Sequence, residues 1–371
     1  MLVFTAELLP YSETFVRDHV ASLRRFPAIL VGAKKVAGLP TDGLATAVLP
    51  EGKLSRALMW FGGVSPALDR IVDEHGVSLI HAHFADAGAR IARYARRRGL
   101  PLVVTLHGAD VLRRPQRSLR QSLVQPLWRD MLRFADLFLP VSEHLAAKAR
   151  QRGVPADKLR RHYLGIPLPD RMTRRQEDAE VPTILFVGRL VEKKGLTYLI
   201  EAARLLDGRG KRFRVRVLGD GPLLDQLRAQ ADGLDHCVEF AGRRTPEQVR
   251  EELQAAHIFC MPSVEASDGD NEGLPIVSLE GQAAGLPLVA FDQGPVPEAI
   301  EADTTGLLAT ERSPESLADC LERLIDDPGL RARMGEGGRQ RVEKQFDIGK
   351  QSRELENIYD QLLGSKMAAG N

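Results

Sequence analysis

Short apolar runs rich in β-branched residues alternate with longer amphipathic stretches along nearly all of this 371-residue chain. Few architectures accept that alternation. It is the signature of βα units, whose strands are buried on both faces and so read as continuous apolar runs. In the first half the expected strands are 28–32 (AILVG), 78–83 (SLIHAH), 101–106 (PLVVTL) and 136–141 (DLFLPV). In the second half they are 183–188 (TILFVG), 213–218 (FRVRVL), 237–241 (CVEFA), 257–261 (HIFCM) and 287–291 (PLVAF). Between them, Leu196, Leu199, Ile200, Ala203 and Leu206 recur at the helical period. The stretch 167–182 (PLPDRMTRRQEDAEVP) is polar, proline-rich and aperiodic, and reads as a linker. An α/β chain of two doubly wound domains with a cleft between them follows.

A formal net charge of +1 conceals a division. Residues 1–180 carry 28 Lys/Arg against 18 Asp/Glu, and 181–371 carry 23 against 32. The halves either meet different partners or use opposite charge to stay together. Cys237, Cys260 and Cys320 are widely spaced and form no CxxC, so neither a disulfide framework nor a zinc site is expected, and a reducing cytosol fits. No apolar run approaches the roughly 20 residues of a spanning helix. The opening MLVFTAELLPYSETF lacks a basic n-region and a small-residue cleavage site, so no signal peptide is expected. No GxGxxG follows a first strand with an acid about 20 residues on, which excludes a Rossmann dehydrogenase.

Ligands of doubly wound sheets bind beyond the carboxyl ends of the strands. In the second half those ends run into GRLVEKKG (188–195), GDGP (219–222) and GRRT (242–245). Glycine lets backbone approach a ligand with no Cβ in the way. Arg189 and Lys194 add two cations suited to a diphosphate. Residues 272–280, EGLPIVSLE, hold two carboxylates eight positions apart. In one unbroken helix they would stand about 80° apart and about 12 Å along the axis. Pro275 instead fits the first turn, so Glu272 falls on the preceding loop and Glu280 inside the helix. The two would then touch different parts of one extended ligand lying across a helix N-terminus, itself an anion site.

FVGRLVEKKG, VLGDGP, FAGR and SDGDNEGLPIVSLEGQAAGLPLVA, followed by GPVPEAI and TGLLA, resemble the donor domain of glycosyltransferase family 4. HAHFADAG (81–88) and VTLHGAD (104–110) resemble the N-terminal domain of the same family, so the likeness covers essentially the whole chain. The loop ASDGDNEGLP and the segment PYSETF are similar to those of bacterial exopolysaccharide and colanic-acid-type members. The resemblance implies the GT-B architecture, two Rossmann-like doubly wound domains facing across a cleft. The expected domains are 1–168, binding acceptor, and 169–349, binding the nucleotide-sugar, with a helix at about 350–371 packing back on the first.

It further implies a retaining hexosyltransferase that uses a UDP- or GDP-sugar and a glycan or lipid-linked saccharide acceptor in bacterial surface polysaccharide synthesis. A GT-B-fold epimerase or phosphorylase, or an inert subunit of an assembly complex, are the rival readings. By the resemblance, Arg189 and Lys194 neutralise the donor diphosphate, and Glu280 binds the ribose hydroxyls. Glu272 and His107 lie near the transferred sugar and departing phosphate. Gly273, Leu274, Pro275 and Ile276 supply backbone around sugar and phosphate, with Gly188, Gly219 and Gly242 at the other strand ends. On the acceptor side stand Glu13 or Thr14, where the family commonly has glycines, together with His83 and Asp110. No metal and no cofactor are implied: Asp268-Gly-Asp270 spells DxD but lies within the Glu272 loop. Front-face attack, with the leaving phosphate taking the acceptor proton, is the implied mechanism. No nucleic-acid partner is expected.

His81 and His83 share one strand face, with no cysteine or carboxylate cluster beside them, and are assigned to cleft lining rather than to a metal. Glu298 reads as a helix-start carboxylate favouring the dipole. Gly281 has no evident reason inside a helix, unless close packing on the ligand side demands it. Trp60 and Phe61 fit a core or a membrane-facing surface equally well. Residues 113–133 hold six arginines and one acid with leucines and Trp128 interspersed. Such a stretch suits either a solvated helix or an anionic membrane surface, which would place a cytoplasmic protein on the inner face of the plasma membrane. If it docks, changing Arg113, Arg114, Arg117 and Arg120 to glutamine weakens sedimentation with anionic liposomes; unchanged binding removes the idea.

Overall fold

The structure, a computed structural model, describes residues 1–50, 52–112, 119–169 and 181–369, with backbone alone for 119–124 and 369. Positions 113–118 of the basic stretch and 170–180 of the linker lie outside the described residues. The chain divides into two units, Met1–Pro167 with Asp347–Asn371, and Leu168–Phe346. The first holds β1 (Leu2–Thr5), β2 (Ile29–Gly32), β3 (Ala45–Val48), β4 (Ile80–His83), β5 (Leu102–Leu106) and β6 (Leu137–Pro140). The second holds β7 (Thr183–Val187), β8 (Arg214–Leu218), β9 (Val238–Gly242), β10 (Ile258–Met261), β11 (Leu288–Phe291) and β12 (Gly306–Ala309).

Both sheets are parallel and ordered alike: β3-β2-β1-β4-β5-β6 and β12-β11-β10-β7-β8-β9. The strand order reverses between β1 and β4, and between β7 and β10. These are the points where a crevice opens beyond the strand ends. The two-sheet arrangement is the GT-B fold.

Three strands escape the sequence pattern. Leu2–Thr5 is wholly buried at the centre of its sheet, but its apolar run is too short to stand out. Ala45–Val48 is an exposed edge of small residues. Gly306–Ala309 opens on a glycine whose Cβ would lie 2.4 Å from the Leu288 carbonyl oxygen, so the close approach of β11 dictates its composition.

The first core gathers Val3, Leu30, Val103 and Leu139 from the strands. The helix Ile348–Ala369 covers it with Leu355, Ile358 and Tyr359. The second core runs from Ile184 and Phe186 through Val215 and Val217 to Ile258 and Val289. Helix starts follow their capping chemistry: Ser142 accepts from the Leu145 amide, and Thr245 and Gln248 form a reciprocal capping box. Pro275 occupies the N-cap position of the helix Ile276–Ala283, one residue before the expected place in its first turn.

Gly281 packs on the sheet side of that helix, not on the ligand side. Its Cβ would lie 3.2 Å from the Phe259 ring. Trp60 is half-buried under the Arg90 guanidinium, 5.3 Å from the ring centroid, whereas Phe61 remains exposed. Among the described residues no helix is long and apolar enough to cross a membrane.

Two glycines in the loops after β7 and β8 admit no side chain. A Cβ on Gly219 (φ +146°) would lie 1.8 Å from the Gly188 carbonyl oxygen, and one on Gly195 (φ +63°) 1.7 Å from that of Pro262. Gly233 (φ +80°) faces open space. Gly233→Ala should therefore cost only the backbone penalty of about 1–2 kcal/mol. Gly195→Ala and Gly219→Ala should each cost more, with the loops displaced. Urea midpoints check this ranking; equal midpoints for the three would refute the close-approach argument.

Candidate active site

In the second unit the loops after β7 and β10 meet at the switch point. Lys194, on the first loop, donates from Nζ to Glu272 Oε1 at 2.7 Å, and Ser263 Oγ donates to the same oxygen at 3.1 Å. Lys193 Nζ reaches Asp270 Oδ1 at 3.1 Å. Burial alone would raise the Glu272 carboxyl, but Lys194, Lys193 and the two hydrogen bonds overcome it and hold the group below its ordinary value. The loop after β11 joins them: Asn271 Nδ2 donates to Gln293 Oε1 at 2.8 Å, and Gln293 Nε2 to the Ser263 carbonyl.

Arg189, on the β7 loop, is exposed, and among the described residues nothing pairs with its guanidinium. No side chain caps the helix Ile276–Ala283, so its N-terminus is open to an anion. Gly273, Leu274 and Pro275 are buried leading into it, and Ile276 and Glu280 are partly buried along it. Glu272 and Glu280 thus stand apart as the spacing implied, one on the loop and one within the helix. Gly188, Gly219 and Gly242 sit at the ends of β7, β8 and β9. Of the DxD carboxylates, Asp268 accepts from the Asp270 amide at 2.8 Å within the loop, and Asp270 pairs with Lys193 of the β7 loop.

In the first unit His107 follows β5, and the rings of Phe15 and Phe84 pack on its ring at 4.7 and 4.4 Å between centroids. Phe84, directly after β4, holds φ at +70°, a strained backbone for a bulky residue. Asp110 clamps the His107 loop, accepting from the amides of Gly108 at 2.8 Å and Ala85 at 2.9 Å. Burial pushes its carboxyl up to about 6 against those bonds. Glu13 precedes the helix that begins at Thr14, without capping it. Burial, Asp86 and Glu7 push the Glu13 carboxyl up to about 8, and its Oε2 is buried with no partner among the described residues.

His83, expected on the acceptor side, is not exposed on a surface. It is buried with both ring nitrogens engaged, Nε2 lying 2.8 Å from His19 Nδ1 and Nδ1 lying 2.9 Å from His107 Nε2. His81 is likewise internal, between Tyr359 OH and Thr105 Oγ1 at 2.6 Å each. The sequence reading missed His19 and Tyr359, which come from helices far apart in the chain. It also missed Lys193, which stands beside Lys194 in GRLVEKKG without an assigned role, and Ser263, which no motif marks.

Comparison with known proteins bears on both units. The family described as glycosyl transferases group 1 matches residues 170–341, and glycosyltransferase family 4 matches 29–169. The amylovoran biosynthesis glycosyltransferase AmsK of Erwinia amylovora is 35% identical over 293 residues, 77% of this chain and 70% of that one. The putative colanic acid biosynthesis glycosyltransferase WcaL of Escherichia coli is 33% identical over 290 residues, 76% and 70% of the two chains. Among solved structures, Anabaena HepE in complex with UDP superposes with a TM-score of 0.79 at 20% identity, over 97% of this chain and 99% of its own.

The pairing of Glu272 has a signed consequence. Its folded pKa is depressed below the ordinary 4.5, so its contribution to stability is present above pH 4.5 and lost as pH falls through the folded value. In Lys194→Met burial dominates and raises the carboxyl, so the penalty is full at neutral pH and eases toward pH 4.5. Urea denaturation should show the variant about 3–5 kcal/mol less stable at pH 7. That gap should narrow on acidification; a constant gap from pH 7 to pH 4 would contradict the pairing.

Proposed function

The chain belongs to the glycosyltransferases of group 1 and family 4, and we propose that it transfers a hexose, with retention, from a UDP- or GDP-sugar to a glycan or lipid-linked saccharide in bacterial surface polysaccharide synthesis. The observation that carries this reading is the cationic loop 188–195 facing Glu272 at the switch point of the second sheet, beside an uncapped helix N-terminus. The names of AmsK and WcaL support the polysaccharide setting.

Breaking the glycosidic C–O bond places positive charge on the sugar and negative charge on the departing diphosphate. Arg189 meets the diphosphate first, being exposed and unpaired among the described residues. Lys194 is held close by Glu272, and the helix N-terminus adds its dipole. In this reading these groups stabilise the leaving anion without a metal. Glu280 binds the ribose, Glu272 orients the sugar, and the first unit holds the acceptor. An anionic membrane surface fits the exposed Leu54, Leu58 and Phe61, which share the segment 53–62 with Lys53 and Arg56.

Calorimetry with UDP and GDP, and initial rates with the matching sugar nucleotide, test this reading, all in EDTA. Glu280→Gln degrades a charged hydrogen bond of about 1.5–3 kcal/mol, so nucleotide affinity should fall roughly tenfold or more. Glu272→Gln should keep that affinity while kcat falls, as for a contact made mainly in the transition state. The opposite pattern reverses the two roles, and no change in either variant removes the reading. Activity lost in EDTA and restored by manganese overturns the metal-free mechanism.

A further inference from the structure

The first unit contains an unbroken file of hydrogen-bonding side chains that ends at His107. From the interior outward it runs Thr105 Oγ1, His81, Tyr359 OH, His19, His83 and His107. The links measure 2.6 and 2.6 Å to either side of His81, and 3.4 Å from Tyr359 OH to His19 Nε2. Those around His83 measure 2.8 and 2.9 Å. Every member but His107 is buried.

A neutral imidazole carries one N–H and one lone pair, so each ring must accept on one side and donate on the other. Tyr359 OH must likewise pass its proton on, since accepting from both His81 and His19 would leave its own buried O–H without an acceptor, so the direction of one link fixes all the rest. If Thr105 donates to His81 Nε2, then His81, His19 and His83 each donate from Nδ1, and His107 accepts at Nε2. All four rings then carry the proton on Nδ1. If the file points inward, all four carry it on Nε2, and Thr105 becomes an acceptor. Among the described residues the Thr105 hydroxyl has no other partner, so the inward direction strands a buried O–H donor. Leaving such a group unsatisfied costs about 1–3 kcal/mol. The outward direction leaves open only the Nδ1–H of His107, on a ring that is partly exposed.

We propose that His81, Tyr359, His19 and His83 are positioning residues that fix His107 as the neutral Nδ1–H tautomer, so that its free nitrogen offers a hydrogen bond to an anionic oxygen and does not act as a base. The Nδ1 of His107 has no partner among the described residues, and His107 is only partly buried. Burial, with the neighbouring rings, lowers the pKa of all four histidines, to about 3 for His19 and His107, which keeps the file uncharged. Two other titratable groups act on His19, His162 and Glu356. His162 bonds the Gln351 carbonyl, and Glu356 accepts from the Arg24 and Arg25 amides and pairs with Arg25. Neither enters the file.

Ring nitrogens of His19, His81 and His83 also lie within 4.8 Å of one another, as metal ligands would. Here their nitrogens are already committed to hydrogen bonds. None of those bonds reaches a carboxylate, the partner that so often orients a metal-bound imidazole. The proposal rests on His107 being a site residue, but its test needs no turnover. It can therefore fail while transferase activity stands, or hold where none is found.

Nitrogen-15 NMR of the histidine-labelled protein at pH 7 reads the tautomers directly. The expected result is a protonated Nδ1 and an unprotonated Nε2 on all four rings. Thr105→Ser should preserve this pattern. Thr105→Val, nearly isosteric but without the donor, should move His107 toward a mixture of tautomers. An Nε2–H or doubly protonated His107 in the parent protein overturns the proposal, as does a His107 unchanged in Thr105→Val. One equivalent of zinc shifting the His19, His81 and His83 nitrogens together would show a metal site instead.

Discussion

A carboxylate persists inside a protein only where cations and donors meet it, and Glu272 meets that condition through a second loop of the same sheet. Residues 192–195 grip the segment 262–272 one after another. Glu192 accepts from Ser267, the Lys193 carbonyl accepts from the Val264 amide, Lys193 pairs with Asp270, and Lys194 pairs with Glu272. Gly195 closes the series by lying so near Pro262 that no Cβ fits. The strand order makes this possible, since β7 and β10 are neighbours although about seventy residues separate them. The helix Ile276–Ala283, which bears Glu280, starts from the loop so anchored.

The legible parts of the sequence were those in which local pattern and chemistry coincide. Nine strands announced themselves as apolar runs, and Glu272, Pro275 and Glu280 divided between loop and helix because proline decides where a helix can begin. What stayed hidden depends on contacts between distant positions. Nothing near Gly281 says that Phe259 will press against it. His83 reads as a cleft residue because it closes its strand at the carboxyl end, yet His19, from a helix 64 positions earlier, bonds its ring, and Tyr359, 278 positions after His81, bonds that neighbour. Strands with an edge or close-approach role, such as Ala45–Val48 and Gly306–Ala309, follow neighbouring backbone rather than apolar pattern.

Both units gather buried polar groups near the switch point of their sheets, but by opposite means. The second uses full charges, which Lys194 and Glu272 neutralise between themselves while Arg189 stays exposed. The first uses neutral rings, each satisfied by the next. The difference follows from what each arrangement can exchange. An ion pair in a partly closed site holds a cation ready for an incoming anion, because the cation's desolvation is already largely met. A neutral file cannot release charge, and its histidines are held far from protonation by burial. What it can do is fix direction: one buried hydroxyl, Thr105, sets the orientation of every donor up to His107. In the proposed transferase the cationic cluster therefore sets how strongly an anion is held, and the neutral file sets which hydrogen-bonding face His107 presents.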